Sequence, residues 1–185
     1  VGHSAMAGAL VTADAIGAVA VGYEALNVLT SGAGNTAVGY QSLSACTDGK
    51  HNTAVGHQAL GSAMNVGDSN TAIGAFSLYS ADPDTNDHGS NTALGKGSGY
   101  DVSTGTGNVL VGANAGNSGS NDLTTGDNNT YIGNEATGAS ASNTNSTVIG
   151  ATAVGSGDNT VVLGNASVTD VYMAQDSGAL VHTAG

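Results

Sequence analysis

The phrase Asn35-Thr36-Ala37-Val38-Gly39 returns as Asn52-Thr53-Ala54-Val55-Gly56, and again as Asn70-Thr71-Ala72-Ile73-Gly74. No other feature constrains the fold as much. A unit this short buries little apolar surface alone, so successive copies have to stack on one another. With the glycine of each phrase as an anchor, the anchors are Gly2, Gly22, Gly39, Gly56, Gly74, Gly95, Gly112, Gly133, Gly150 and Gly164, spaced by 20, 17, 17, 18, 21, 17, 21, 17 and 14 residues. The residue before every anchor is Val, Ile or Leu, and the residue three after is always Ala or Ser.

Each phrase is too short for a helix and carries glycine in its middle. Thr and Val are β-branched and alternate with Ala, which favours a strand with Thr53 and Val55 on one face and Ala54 on the other. Glycine then permits a bend that a Cβ would oppose. His57-Gln58-Ala59-Leu60 reads as a second short strand, and a polar connection of mostly eight residues leads to the next copy. The expected architecture is an all-β parallel β-solenoid of about ten coils stacked about 4.8 Å apart. Residues 1–168 form the repeat domain, and 169–185 form a last strand (Thr169–Met173) and a tail leading toward a downstream domain. The aliphatic column is expected to shape each coil. The Ala and Ser columns are expected to admit another backbone, which points to a closed homo-oligomer.

Composition narrows the partners. The chain has 185 residues, 30 Gly, one Phe, no Trp and a formal charge of −12. With Lys50 and Lys96 the only bases, phosphate contacts are scarce, which excludes nucleic acid and anionic membrane as natural partners. No apolar run reaches membrane-spanning length, so no membrane insertion is expected. Cys46 stands alone, which rules out an intrachain disulfide framework. No signal peptide is visible, and a start at Val1 reads as a piece of a longer protein.

The remaining columns supply the candidate sites. Asn35, Asn52, Asn70, Asn91, Asn108 and Asn129 stand four before their anchors and suit a hydrogen-bonded ladder. A Thr file three before the anchor raises ice binding as an alternative, although its partner position holds Val or Ile instead of a second Thr. His3, Tyr23, Tyr40 and His57 follow four consecutive anchors and form an aromatic column. Such a column is either cross-strand stacking or a platform for a sugar ring. Two connections have twelve residues, Tyr79–Ser90 and Asn117–Asn128, and ten of the fourteen acids lie in connections, among them Asp122 and Asp127. These loops are the expected ligand-contact regions. Asp82, Asp84, Asn86 and Asp87 place oxygen ligands close together, as a calcium site would, but without EF-hand spacing; a solvated acidic turn begun by Pro83 is the competing reading. No catalytic constellation appears: the histidines lack zinc spacing, and no Gly-x-Ser-x-Gly elbow or phosphate loop is present. No enzyme activity and no cofactor other than calcium is expected.

The Asn-Thr-Ala-Val-Gly-x-Gln-Ala-Leu phrases, from Gly2 to Val168, resemble the head domains of trimeric autotransporter adhesins and the repeat shafts of phage tail fibres. The stretch Asn159–Val171 resembles the segment before an endosialidase-type intramolecular chaperone. The resemblance implies a left-handed β-roll wound as a homotrimer. It also implies an extracellular place on a virion tail or bacterial surface, and a host-surface glycan or protein as receptor. Coils here are mostly 17 residues or longer, whereas autotransporter heads have shorter ones, so no ligand residue is carried over.

Overall fold

The computed structural model describes residues 2–7, 15–62, 67–81 and 89–171. It is a parallel β-solenoid with nine strands in one sheet, stacked in chain order. The strands are β1 (Val19–Val21), β2 (Thr36–Val38), β3 (Thr53–Val55), β4 (Thr71–Ile73), β5 (Thr92–Leu94), β6 (Val109–Val111), β7 (Thr130–Ile132), β8 (Thr147–Ile149) and β9 (Val161–Leu163). Equivalent residues lie in register throughout: Ala37 pairs with Ala54, Ala54 with Ala72, and Ala72 with Ala93. Nine strands make eight steps, slightly fewer than the ten coils expected. The first phrase stacks through its turn, where Glu24 N–H donates to His3 O at 3.0 Å, but forms no strand among the described residues.

The anchor glycines form one corner. At Gly39, with φ of 140°, an added Cβ would collide with the carbonyl of Gly56 in the next coil. Only glycine allows coils to close to strand spacing at that corner. The segment after it corrects one expectation. His57–Leu60 is not a strand but a turn, with positive φ of 51° at Gln58 and 50° at Leu60. The equivalents Gln41 and Leu43 share this left-handed backbone (φ 50° and 48°). Each such residue is strained by about 1–2 kcal/mol. Hydrogen bonds between coils hold the turn: Gln58 N–H donates to Tyr40 O in the coil before, and Leu60 N–H to Ser77 O in the coil after, at 2.8 and 3.0 Å.

Facing is also the reverse of what was expected. The mid-strand residues Ala37, Ala54, Ala72 and Ala93 are fully buried and point into the coil, while the Thr and Val/Ile/Leu positions on either side of them face outward. The Ala and Ser column three after the anchor is buried as well from Ala25 to Ala153, and is open only at its ends, Ala5 and Ser167. Small side chains there leave room within the coil and make no docking surface for another chain. Leu26, Leu43, Leu60 and Leu78, four after their anchors, fill the interior opposite the strand. A serine in the small column satisfies its hydroxyl locally, as Ser77 Oγ donates to Gly74 O at 2.9 Å, so Ala and Ser interchange there.

The Asn ladder forms as expected. Asn108 Nδ2 donates to Asn91 Oδ1 at 3.1 Å and to Gly126 O at 2.8 Å, while its own Oδ1 accepts from Asn129 N at 2.9 Å. Asn35, Asn70, Asn91, Asn108 and Asn129 each tie three chain segments in the interior, where an unpaired polar group is costly. Asn52 accepts from Asn70 through Oδ1, but its buried Nδ2 has no partner among the described residues. The expected last strand does not extend the sheet: Thr169–Val171 has no strand, and Met173 lies outside the described residues. Val168 instead folds over the final corner, its side chain against Gly164, where another coil would otherwise stack.

Candidate functional site

Three features on the outside of the rod are candidates for contact with other molecules. The first is the aromatic column. His3, Tyr23, Tyr40 and His57 stack at centroid distances of 5.6, 5.2 and 5.0 Å, with planes within 10° of parallel. Phe76 continues it edge-on to His57 at 5.0 Å, and Tyr79 and Tyr100 stack beyond at 5.1 Å. These last three were missed in the sequence because they leave the column, Phe76 by one position and the tyrosines by four. Tyr23 and Tyr40 are 41% and 45% exposed. Within the column the ring faces cover one another, so edges and hydroxyls meet solvent. A sugar ring stacks on a ring face, and such faces are free only at the column's ends.

Alongside runs a polar ladder. Gln58 Nε2 donates to Gln41 Oε1 at 3.0 Å, and Gln41 Nε2 donates to Glu24 Oε2 at 2.7 Å. A hydrogen bond to Glu24, then that carboxylate's charge, raises the Tyr23 pKa above its usual value.

The second feature is the set of acidic connections. Asp127 Oδ1 accepts from Thr106 N at 2.7 Å and from Thr106 Oγ1 at 3.0 Å, so this carboxylate bonds one coil to another. Asp68 and Asp158 accept in the same way from Lys50 N and Thr144 N, at 2.7 and 2.9 Å. Asp122 accepts from Gly119 N at 2.6 Å and closes its own loop. Its charge adds to partial burial in raising the pKa of Asp101, burial being the larger cause. Leu123 is buried in the core, so the projecting part of the second twelve-residue connection is 117–122. Asp82, Asp84, Asn86 and Asp87 lie outside the described residues. Among the described residues no three His, Cys, Asp or Glu side chains come together as a metal site. The structure therefore does not gather the candidates into one site: His3, Tyr23, Tyr40 and His57 form one column, and Asp122 and Asp127 serve separate loops.

The third feature is the outward face of the sheet. Val21, Ile73, Leu94, Ile132, Ile149 and Leu163 run up it in one file, with Leu94 47% exposed. Thr36, Thr53, Thr71, Thr92, Thr130 and Thr147 run beside them, and Val19, Val109 and Val161 complete the Thr file. Every outward position is uncharged. At the C-terminal end of the rod a depression of about 430 Å³ is lined by Thr152, Val154, Val162, Gly164, Asn165 and Ala166, none of them an acid, a base or an activated nucleophile.

Compared with family models and with curated proteins, the chain matches none. Among the described residues no helix is long and apolar enough to cross a membrane.

Proposed function

We propose that the chain is a rigid segment of an extracellular fibre or adhesin, of the virion-tail or bacterial-surface type, which presents loops for attachment and does no catalysis. One observation carries the reading: nine three-residue strands stack in unbroken register, and each coil closes its interior with its own side chains and its neighbours'. Such an object has a fixed length and a repeating cross-section, and its variation is confined to the connections. Repeat arrays use projecting connections in this way, since insertions there leave the stack intact. The resemblance to adhesin heads and tail-fibre shafts points the same way.

The receptor class is a host-surface glycan or protein, met by the loops. The test is adhesion of the labelled chain to a panel of whole bacterial cells, with 117–122 replaced by a short Gly-Ser turn in a parallel sample. The expected result is strain-selective adhesion that the loop replacement abolishes while circular dichroism is unchanged. Adhesion to no strain, or adhesion indifferent to this loop, counts against attachment through it.

A further inference from the structure

We propose that Tyr23 and Tyr40, stacked on successive coils, are a site of oxidative cross-linking. A one-electron oxidant, of the class of a peroxide-activated haem peroxidase, joins their rings by a carbon–carbon bond and fastens the coil of β1 to the coil of β2. The proposal stands apart from the fibre reading, because it needs only the coil stack.

The pair is held together and open to solvent. The ring centroids are 5.2 Å apart, with planes 9° from parallel. Gln41 N–H donates to Tyr23 O at 2.8 Å, so the backbones that carry the rings are fixed to each other. Holding two reactants side by side removes the encounter that slows coupling between free phenols. Both tyrosines are more than one-third exposed, so an oxidant reaches their hydroxyl edges without entering the fold. Tyr131, by contrast, is fully buried. The lone, buried Cys46 leaves the chain no disulfide between coils, so a tyrosine pair is the tie it has to offer.

The neighbours select the partner and supply a proton acceptor. His3 covers the other face of Tyr23 at 5.6 Å, and His57 covers that of Tyr40 at 5.0 Å. Each tyrosine of this column therefore has one phenol stacked on it, the other tyrosine. The Glu24 carboxylate accepts from the Tyr23 hydroxyl and, at 2.7 Å, from Gln41 Nε2. The second bond fixes the carboxylate between the two coils. A phenol gives up an electron far more easily when its proton leaves with it, and a base already bonded to the hydroxyl takes that proton.

The step balances with hydrogen peroxide as the terminal oxidant. Each phenol loses one electron to the peroxidase and one proton from its hydroxyl, that of Tyr23 by way of Glu24 and that of Tyr40 directly to water. The two phenoxyl radicals join through the ring carbons beside their oxygens. The hydrogen on each joined carbon then moves to oxygen, which restores both phenols. Hydrogen peroxide takes up the two electrons and two protons and leaves as two waters.

Treating the 185-residue chain with haem peroxidase and hydrogen peroxide tests this. Glu24 and Glu135 are its only glutamates, so a glutamate-specific protease cuts the denatured chain into 1–24, 25–135 and 136–185. Tyr23 then lies in the first fragment and Tyr40 in the second. After oxidation the chain should keep its single-chain size of 17.7 kDa on a denaturing gel, and 1–24 should stay joined to 25–135 after cleavage. The joined product should show dityrosine fluorescence and lack two hydrogen atoms. Coupling between Tyr79 and Tyr100 stays inside 25–135 and does not enter this readout. Tyr40→Phe keeps the stacked ring but should release 1–24. Release of 1–24 from the oxidised wild-type chain overturns the proposal, as does joining that survives Tyr40→Phe, or chains linked to one another in place of the internal bond. Because Glu24→Gln removes the cut, its effect is read as the rate of dityrosine fluorescence in a Tyr79→Phe background. That rate should fall about tenfold or more, with the melting temperature unchanged, and Glu24→Asp should restore part of it. A rate that Glu24→Gln leaves unchanged overturns the carboxylate's part in the reaction.

Discussion

Leu110 on β6 fills the space that Gly99 leaves open in the coil before it. A Cβ on Gly99 would lie 2.7 Å from Leu110 Cδ1 and 2.9 Å from Leu78 Cδ2. Gly99 occupies the position that Leu26, Leu43, Leu60 and Leu78 hold in earlier coils, opposite alanines on the strand. Where the turn loses its leucine, the strand gains one. The interior keeps its volume by exchanging large and small across the coil, as close packing requires. Gly99→Ala should therefore destabilise the fold by about 1–3 kcal/mol through overpacking. Its φ of 60° adds strain. The double variant with Leu110→Ala should cost less than the sum of the two singles by at least about 0.5 kcal/mol. Urea unfolding of the four proteins measures this coupling, and additivity would refute it.

Asn108→Ala tests the buried ladder. The substitution strands Gly126 O and Asn129 N in the dry interior, and both now bond to Asn108. Each orphaned buried group costs about 1–3 kcal/mol. Unfolding should shift by at least about 2 kcal/mol, and hydrogen exchange should quicken in β6 and β7. A loss below 0.5 kcal/mol, on the scale of about 0.5 kcal/mol for neutral surface changes, would mean that the ladder is incidental.

Alkaline pH should unfold the rod. Burial pushes Tyr131 from 10.0 up to about 12 and Cys46 from 9.0 up to about 12. Both groups are neutral when protonated, and the fold favours that form. Their stabilisation is therefore complete below their unfolded pKa values and is lost as pH rises through 9 to 12. Tyr131 Oη has no hydrogen-bond partner at bonding geometry, so Tyr131→Phe should keep or raise neutral-pH stability while shrinking the alkaline loss. Unfolding monitored by circular dichroism from pH 8 to 12 checks the sign. Cys46 should react with a thiol reagent at pH 8 only in denaturant.

The aromatic column should behave as structure. Tyr40→Ala removes the stacks with Tyr23 and His57. Each ring pair is worth about 0.5–1.5 kcal/mol. Tyr40→His should lose less, because His3 and His57 already occupy this column. Melting temperatures decide, and equal losses from Ala and His would mean that stacking contributes nothing there.

Calcium removal addresses the acidic run at 82–87. With a solvated turn there, a chelator leaves the melting temperature unchanged, whereas a bound ion makes melting depend on calcium concentration. Differential scanning calorimetry with and without chelator separates the two.

The solenoid is readable in the repeat, because glycine, aliphatic and small positions recur in fixed columns. Facing was not readable from alternation. A period of two shows that Thr53 and Val55 share a face, but not whether that face is inside. The missing information lay across the coil: a leucine at 26, 43, 60 or 78 leaves space only for alanine opposite, so the alanines had to be internal. The left-handed turn was hidden for another reason. Glu24, Gln41, Gln58 and Phe76 are ordinary residues in a conformation that they seldom adopt alone. Only Gly97, Gly99, Asn114 and Gly116, which fill the same turn higher in the stack, hint at it. Of the candidate contacts, the first four aromatics were legible as a column. Asp127 looked free because nothing in sequence shows that its carboxylate reaches the Thr106 backbone 21 residues away.

The bonds that join coils all run along the rod, from the strand ladder to the Asn ladder. A tensile load applied at the two ends is therefore carried in series: each interface between coils bears the whole force, and none shares it. The rod would come apart one coil at a time, like a zip, at the force its weakest interface sustains. Each 17-residue coil released, such as the step from Thr36 to Thr53, pays out roughly 60 Å of slack at about 3.5 Å per residue. Under load the rod would therefore lengthen stepwise before its ends part.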